Sequence, residues 1–489
     1  MALSVLLSLT LLTSCAAVKS IVSAESDSSA AASDEADTNY TSSVSAVYDS
    51  DDEDAGWDAG KAAAIELNGN SVKVDGSGVS VEGSTVTIYE GGTYCISGTL
   101  TDGQIIVSAK KQLVRLVLNG ADISCSDSAA IYVKKAEKAV IILADGTDNK
   151  IADGSDYDYD DEEEKEPNAA IFSKSDLTIN GTGSLTVDGS FKHGINSKDE
   201  LKIVSGTITV DAVSDGIRGR DCIDVKNASI TINAGSDGMQ SNNDEDPAKG
   251  YIAIDSGTFV ITAANDGIQA ETGILVSGGD ITITTGGGSA NAVSKSGNDM
   301  QGMGGNMKGG PSAGTADSGM SASVTASGAA ASGTVSDTSS DTASDSMKGI
   351  KAETDITIAG GTITVNSADD SIHSNGSAEI KGGSLLLDAG DDGIHADATM
   401  QIDGGTISVT QSYEGLESAL MTVNDGTIYV TSSDDGINVA GGTAGSSADG
   451  STGQNAFAST GVNNLFINGG CIIVDASGDG LDANASITM

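Results

Sequence analysis

The chain has 489 residues with 70 acidic and 24 basic side chains, a formal net charge of −46, which repels nucleic acid phosphates and invites multivalent cations instead. Aromatic residues are only 3% and the single tryptophan is Trp57, so a sugar site built as a stacking platform is not expected. Hydrophobic content is 38%, with Val, Ile and Leu recurring between the 64 glycines, which argues against global disorder.

In chain order, residues 1–15 read as an export signal. Met1 to Leu12 is mostly apolar, and Leu12-Thr13-Ser14-Cys15 resembles a lipobox, whose cysteine becomes the lipidated N-terminus. No Lys or Arg precedes the apolar run, and the alternative is an ordinary cleaved signal with a chance cysteine. No other stretch is long enough to span a membrane, so the expected membrane link is the anchor at Cys15 alone. Residues 16–62, rich in Ser, Ala, Asp and Thr without an apolar period, are expected to form a disordered tether.

From residue 63 short apolar-alternating runs appear between Gly, Asn and Asp, which are strand signals, and no segment carries a helical period. A small residue followed by an apolar one recurs at Gly194-Ile195, Gly216-Ile217, Gly238-Met239 and Gly267-Ile268. It resumes at Gly349-Ile350, Ser371-Ile372, Gly393-Ile394, Gly415-Leu416 and Gly436-Ile437, mostly 22 residues apart, and Gly480-Leu481 follows two repeats later. Several repeats carry a second signature, such as Gly206-Thr-Ile-Thr-Val210 and Gly361-Thr-Ile-Thr-Val365. A period near 22 holds three short strands and their turns, which predicts an all-β, right-handed parallel β-helix. Its expected parts are residues 63–285 and 347–489, separated by a low-complexity Gly/Ser/Met insertion at 286–346. Asp156 to Pro167 and residues 441–456 read as smaller loops. The chain stops eight residues past Leu481, where a solenoid would show an uncapped edge, so the sequence reads as a fragment.

Stacked repeats turn equivalent positions into columns. The position before the turn residue is Asp215, Asp237, Asp266, Asp370, Asp392, Glu414, Asp435 and Asp479, and one place earlier stand Asp369, Asp391 and Asp434. Carboxylates one strand spacing apart repel by roughly 3–4 kcal/mol at an effective dielectric of about 20. Calcium, which takes six to eight oxygen ligands, would neutralise them, so these eleven residues are candidate calcium ligands. The competing reading is that Asp-Gly simply makes a good turn. A second column follows the apolar turn residue and is expected to point outward. Its members Arg218, Lys351, His373, His395 and Glu417 are candidate carbohydrate-binding residues, against the alternative of a solvated polar face. Cys95 and Cys125 would pair only if they sit on neighbouring coils; otherwise Cys95, Cys125, Cys222 and Cys471 are small buried thiols.

The run Gly91-Gly-Thr-Tyr-Cys-Ile-Ser-Gly-Thr-Leu-Thr-Asp-Gly-Gln104, then Val117-Leu-Asn-Gly120 and the Asp-Gly-Ile turns, resemble a bacterial family of carbohydrate-binding, calcium-containing β-helix proteins. The resemblance covers roughly residues 62–285 and 347–489. It implies binding of a plant cell-wall or acidic polysaccharide, cellulose or pectin, at the cell surface by a monomer, with calcium at the Asp turns. The alternatives are a calcium-dependent lyase of the pectate-lyase type, with Arg218, Arg220, Lys192 and Lys198 as candidate bases near Asp215, and a purely structural adhesin stalk. Clustered carboxylates that repeat with the coil, rather than concentrating at one place, do not point to a single catalytic centre.

Overall fold

The computed structural model of the protein describes residues 44–159, 165–292, 346–440 and 463–489. The expected signal peptide with Cys15, residues 16–43 of the tether, nearly all of the 286–346 insertion and the 441–456 loop lie outside the described residues.

Among the described residues, 40 strands join one sheet, beside a single four-residue α-helix, Ser50–Glu53, and a short 3-10 turn, Ser289–Asn291. Each repeat contributes three strands. One repeat holds Ile217–Gly219, Cys222–Val225 and Ala228–Ala234, and the next holds Met239–Ser241, Tyr251–Ile254 and Gly257–Ala263. In these two repeats each strand pairs parallel and in register with its counterpart, placing Ile217 opposite Met239, Ile223 opposite Ile252 and Ile230 opposite Phe259. The alternation behind the strand prediction is visible in Thr207–Ala212, where Ile208 and Val210 are buried while Thr207 is exposed. Inward side chains merge into one continuous apolar cluster running from Ile65 to Leu465. Each fully buried Ile or Leu in it contributes about 1.5–3 kcal/mol relative to exposure.

Neither long interruption breaks the register. Ile268 pairs directly with Ile350, and Ile437 with Leu481. The columns read from the sequence are therefore continuous in space on either side of each interruption.

The parallel stack opens with Ala63–Gly69 on Gly92–Leu100 and Thr85–Ile88 on Gln104–Ser108, and two hairpins are added to it: Ala63–Gly69 also pairs antiparallel with Ser71–Asp75, and Thr85–Ile88 with Val79–Glu82. Gly69 and Gly83, at φ +68° and +61°, open the two-residue turns, where glycine adopts the positive φ that tight hairpins need. The tether prediction for 16–62 fails over its described end. Asp49 caps the Ser50–Glu53 helix, and Asp52 is wholly buried against Lys138, Thr178 and Asn180. The acidic loop is likewise partly docked, because Glu166 bridges Lys174 and Lys198 at 2.9 Å each. All four cysteines in the described residues are free. Cys95 packs with Val117 and Ile142 in a small outer cluster, whereas Cys125 belongs to the main core, which keeps them from pairing.

Candidate functional site

The turn residue is glycine because of space. A Cβ on Gly216 would lie 2.4 Å from Ile232 Cγ2 and 2.8 Å from the Gly238 carbonyl, and one on Gly349 would lie 2.3 Å from Val365 Cγ1. With the backbones this close, the Gly216 N–H donates to the Asp237 carbonyl and the Gly238 N–H to that of Asp266. At several turns the N–H of the residue before the glycine is accepted instead by the carboxylate of the previous repeat, whereas the His193 N–H, before Gly194, donates to the Asn168 carbonyl. Asp266 N–H donates to Asp237 Oδ1 at 3.0 Å, Lys348 N–H to Asp266 Oδ1 at 2.8 Å, Asp392 N–H to Asp370 Oδ1 at 2.9 Å and Glu414 N–H to Asp392 Oδ1 at 3.2 Å. Asp479 N–H reaches Asp435 Oδ1 at 2.6 Å. A buried unmade amide costs about 1–3 kcal/mol, which gives aspartate here a structural reason to recur.

The second oxygen reaches the residue three places on, tying the two predicted columns together. Asp215 Oδ2 accepts from Arg218 at 3.4 Å, Asp237 Oδ2 from Gln240 at 2.6 Å, Asp370 Oδ2 meets His373 Nδ1 at 2.7 Å and Asp392 Oδ2 meets His395 Nδ1 at 3.1 Å. The expectation that Arg218, Lys351, His373, His395 and Glu417 form an outward strip is therefore corrected. His373 and His395 are buried, and the Arg218, Lys351 and Glu417 side chains are only 23%, 18% and 14% exposed, because the carboxylates draw them back against the turns.

Sequence reasoning missed two members of the first column. His193 and Lys348 stand at the position otherwise held by Asp, and both supply positive partners. His193 Nδ1 lies 3.1 Å from Asp215, and Lys348 Nζ lies 2.5 Å from Asp369 and 3.3 Å from Asp370. The signal was available: each directly precedes a turn glycine, Gly194 or Gly349.

These partners split the carboxylates into two kinds. Burial raises Asp215 and Asp370, but His193 and Arg218 for the first, and Lys348 and His373 for the second, more than offset it and hold both below the usual range. Asp237, whose second oxygen meets only the neutral Gln240 amide, is pushed up to about 7 by burial and by the charges of Asp266 and Asp215. Asp266 and Asp392 are also raised, chiefly by burial.

Of the eleven candidate calcium ligands, Asp369, Asp370 and Asp391 are brought together, with one oxygen of each inside a 4.8 Å set. Two further donor sets of this size adjoin it: Asp370 with His373 and His395, and Asp392 with His395 and Glu417. Asp215, Asp237 and Asp266 share no such cage, since their oxygens are taken by backbone N–H groups and side-chain donors. Glu414 binds the Asn438 amide with both oxygens instead, at 2.9 and 3.0 Å. Asp434, Asp435 and Asp479 follow one another at the last turns and appear in none of these sets.

A second feature lies on the outer side of the third strands. Asp188, Asp211, Asn233 and Thr262 occupy one register on successive strands. With Ser190, Val213 and Gly235 they line an open groove of about 520 Å³. Beside it the half-buried rings of Tyr157 and Phe191 stack with centroids 4.1 Å apart and planes 16° from parallel. Asp153 holds the pair, accepting the Tyr157 hydroxyl at 2.6 Å and the backbone N–H groups of Ser190 and Phe191. An aromatic count of 3% concealed this, because Tyr157 sits in an acidic loop and only the fold brings Phe191 to it.

The family model described as carbohydrate-binding domain-containing protein matches residues 82–393 and 389–436. A carbohydrate-binding domain-containing protein of Acetivibrio thermocellus is 47% identical over 128 residues, 26% of this chain and 45% of the relative, so the chain spans about half that relative's length. The solved structure of a polysaccharide lyase-like protein from C. thermocellum, a gadolinium derivative, is 39% identical, covers 46% of this chain and 92% of that one, and superposes with a TM-score of 0.46. With the family model matched across well over half of its length, this chain belongs to the carbohydrate-binding domain-containing protein family.

Proposed function

We propose that the chain is a right-handed parallel β-helix that binds an acidic or plant cell-wall polysaccharide, such as polygalacturonate or cellulose, along the groove over Asp188, Asp211 and Asn233. The groove itself carries this reading. Its polar side chains repeat once per strand step of about 4.8 Å, beside a half-buried aromatic pair, which suits an extended glycan presenting hydroxyls in series. Family membership supports carbohydrate as the ligand class. In-register pairing of strands with their counterparts one repeat later supports the β-helix.

Calcium enters through charge. At −46 overall, with two aspartates in the groove, the protein would repel a uronate chain unless a divalent cation bridges the carboxylates. Among the turns, Asp369, Asp370 and Asp391 fit calcium by donor type, although the Lys348 ammonium already neutralises part of that set. The lipobox-like Leu12–Cys15 supports a lipid-anchored protein at the cell surface.

Retention on polygalacturonate or cellulose should weaken with EDTA, and with Asp211→Ala or Tyr157→Ala, with no unsaturated product formed. Retention unchanged in both variants would overturn the groove assignment. The lyase reading has less support, since Arg218, Lys198 and Arg220 are each bonded to a carboxylate: Asp215, Glu166 and Glu245. Rising ultraviolet absorbance from uronides would restore it. A structural stalk would show neither retention nor turnover.

A further inference from the structure

Two buried histidines stack in successive turns. The His373 and His395 rings lie 4.9 Å apart and 23° from parallel. Both turn Nδ1 toward the carboxylate column: His373 Nδ1 is 2.7 Å from Asp370 Oδ2, and His395 Nδ1 is 3.1 Å from Asp392 Oδ2 and 3.0 Å from Glu417 Oε2. The outer nitrogens are held as well, His373 Nε2 by Asn375 Oδ1 at 2.8 Å and His395 Nε2 by Asp397 Oδ1 at 3.0 Å.

From this geometry we infer that His373 and His395, with Asp370, Asp392 and Glu417, form a binding site for a divalent transition-metal cation of the zinc class.

Three observations carry the inference. First, a single ring nitrogen holds at most one proton, yet His395 Nδ1 faces two carboxylate oxygens at nearly equal distance. A metal on that nitrogen serves both oxygens, whereas a proton serves one well. Second, the outer nitrogens have the partners that metal-bound imidazoles require: an N–H donated to a carboxylate or amide oxygen fixes the tautomer with its lone pair on the other nitrogen. In each ring that other nitrogen is the Nδ1 facing the cluster. Third, the donors are already close. A tetrahedral ion with bonds of about 2.0–2.1 Å has ligand–ligand edges near 3.4 Å. The 2.7, 3.0 and 3.1 Å separations are shorter than this by about 0.3–0.7 Å, so an ion enters with a small outward shift of the carboxylates, and both donor triads that include His395 fall within 4.8 Å.

Donor chemistry then separates this site from the calcium proposal. Calcium prefers oxygen alone, whereas mixed imidazole and carboxylate donors suit zinc and its neighbours. His395 lies outside the all-oxygen set of Asp369, Asp370 and Asp391. Imidazole and carboxylate donors bind metal only in their deprotonated form, so loading such a site releases protons from any donor that carries one. The ring positions are set by strands Ile372–Ser374 and Ile394–Ile402, which pair in register and put His373 opposite His395, so the donor set is preformed.

The experiment is a zinc chloride titration of chelator-treated full-length protein, followed by calorimetry in two buffers of different ionisation enthalpy. One tight site with net proton release is expected, and cobalt in its place should give a visible ligand-field band typical of low coordination. His395→Gln should abolish the tight site. Asp397→Asn, which leaves every proposed ligand in place, should weaken it about 10–100-fold. Both variants should keep the wild-type circular dichroism spectrum, His395→Gln should lower the metal-free melting temperature because Asp392 and Glu417 lose their buried partner, and Asp397→Asn should keep any calcium-dependent glycan retention. Zinc binding unchanged in His395→Gln, or calcium binding there more tightly than zinc, would overturn the assignment.

Discussion

Asp370 accepts the backbone N–H of Asp392 through its side-chain Oδ1 at 2.9 Å, across 22 residues of sequence. The same bond recurs from Asp237 to Asp266 and from Asp392 to Glu414, so the aspartate column doubles as a hydrogen-bond ladder where the main chain does not supply the acceptor. An aspartate in it can therefore be required for its oxygen, its charge or both, and substitution separates the two.

At Asp237 the oxygen is expected to matter and the charge not. Burial and neighbouring carboxylates push its pKa up to about 7, and its second oxygen meets only the Gln240 amide. Asp237→Asn keeps an acceptor for the Asp266 N–H and should leave the melting temperature unchanged or raise it. Asp237→Ala leaves that N–H unsatisfied and should cost about 1–3 kcal/mol. Chemical denaturation of both variants in EDTA checks this, and a large loss in Asp237→Asn would show that the ionised form is needed.

The same groups set the pH response. Asp237 and Asp224 both rise from 3.8 to about 7, in each case mainly through burial. Between about pH 4 and 7 the folded chain keeps protons on them that the unfolded chain has released, so stability falls as pH rises through that window. Asp49 runs the other way. Its bond to Lys138 outweighs its slight burial and holds it at about 2, so its contribution is present above about pH 4 and is lost on acidification toward 2. Melting temperature in EDTA should therefore be higher near pH 5 than near pH 7.5. The slope should be shallower in Asp237→Asn, and equal slopes in the two proteins would remove Asp237 as a contributor.

Asp52 is expected to be the most sensitive residue of the segment before the first hairpin. It is fully buried, bonds Lys138 Nζ at 2.7 Å and Thr178 Oγ1 at 2.6 Å, and lies 3.4 Å from Lys202 Nζ. Asp52→Ala would take one carboxylate from two lysines that are themselves about nine-tenths buried, leaving Lys138 to Asp49 and Lys202 to Glu200, at a cost of about 1–3 kcal/mol. The exposed neighbour Asp51 should tolerate alanine within about 0.5 kcal/mol. Limited proteolysis would report whether the 44–62 segment comes loose in Asp52→Ala, as a docked segment should.

How much of this was legible follows from which signals are local. Repeats such as Gly216-Ile217 and Gly238-Met239 recur at a fixed interval, so the strand columns and their continuity across the long insertion could be read directly. The partners of the aspartates could be read only in part. The i and i+3 positions were visible as two columns, but that Asp370 and His373 bond each other depends on how the turn bends, and that bend buries a strip expected to be exposed. Lys138 and Asp52 are 86 residues apart, and nothing in a Ser- and Asp-rich stretch marks one of its carboxylates as a core residue. The Tyr157–Phe191 pair was hidden for the same reason, since loops carry no period.

Lys348 gives the sharpest test of calcium at the turns. Its ammonium lies 2.5 Å from Asp369 and 3.3 Å from Asp370, in the neighbourhood a calcium ion bound to Asp369, Asp370 and Asp391 would occupy. The side chain is 5% exposed, so Lys348→Gln leaves buried carboxylates with less compensation and should destabilise the EDTA-treated protein by about 3–5 kcal/mol. If these three aspartates bind calcium, the ion replaces the missing positive charge. Calcium should then raise the melting temperature of Lys348→Gln well above its EDTA value, and by more than it raises the wild type. An equal or smaller rise in the variant would mean that lysine, not calcium, is the cation this turn was built around.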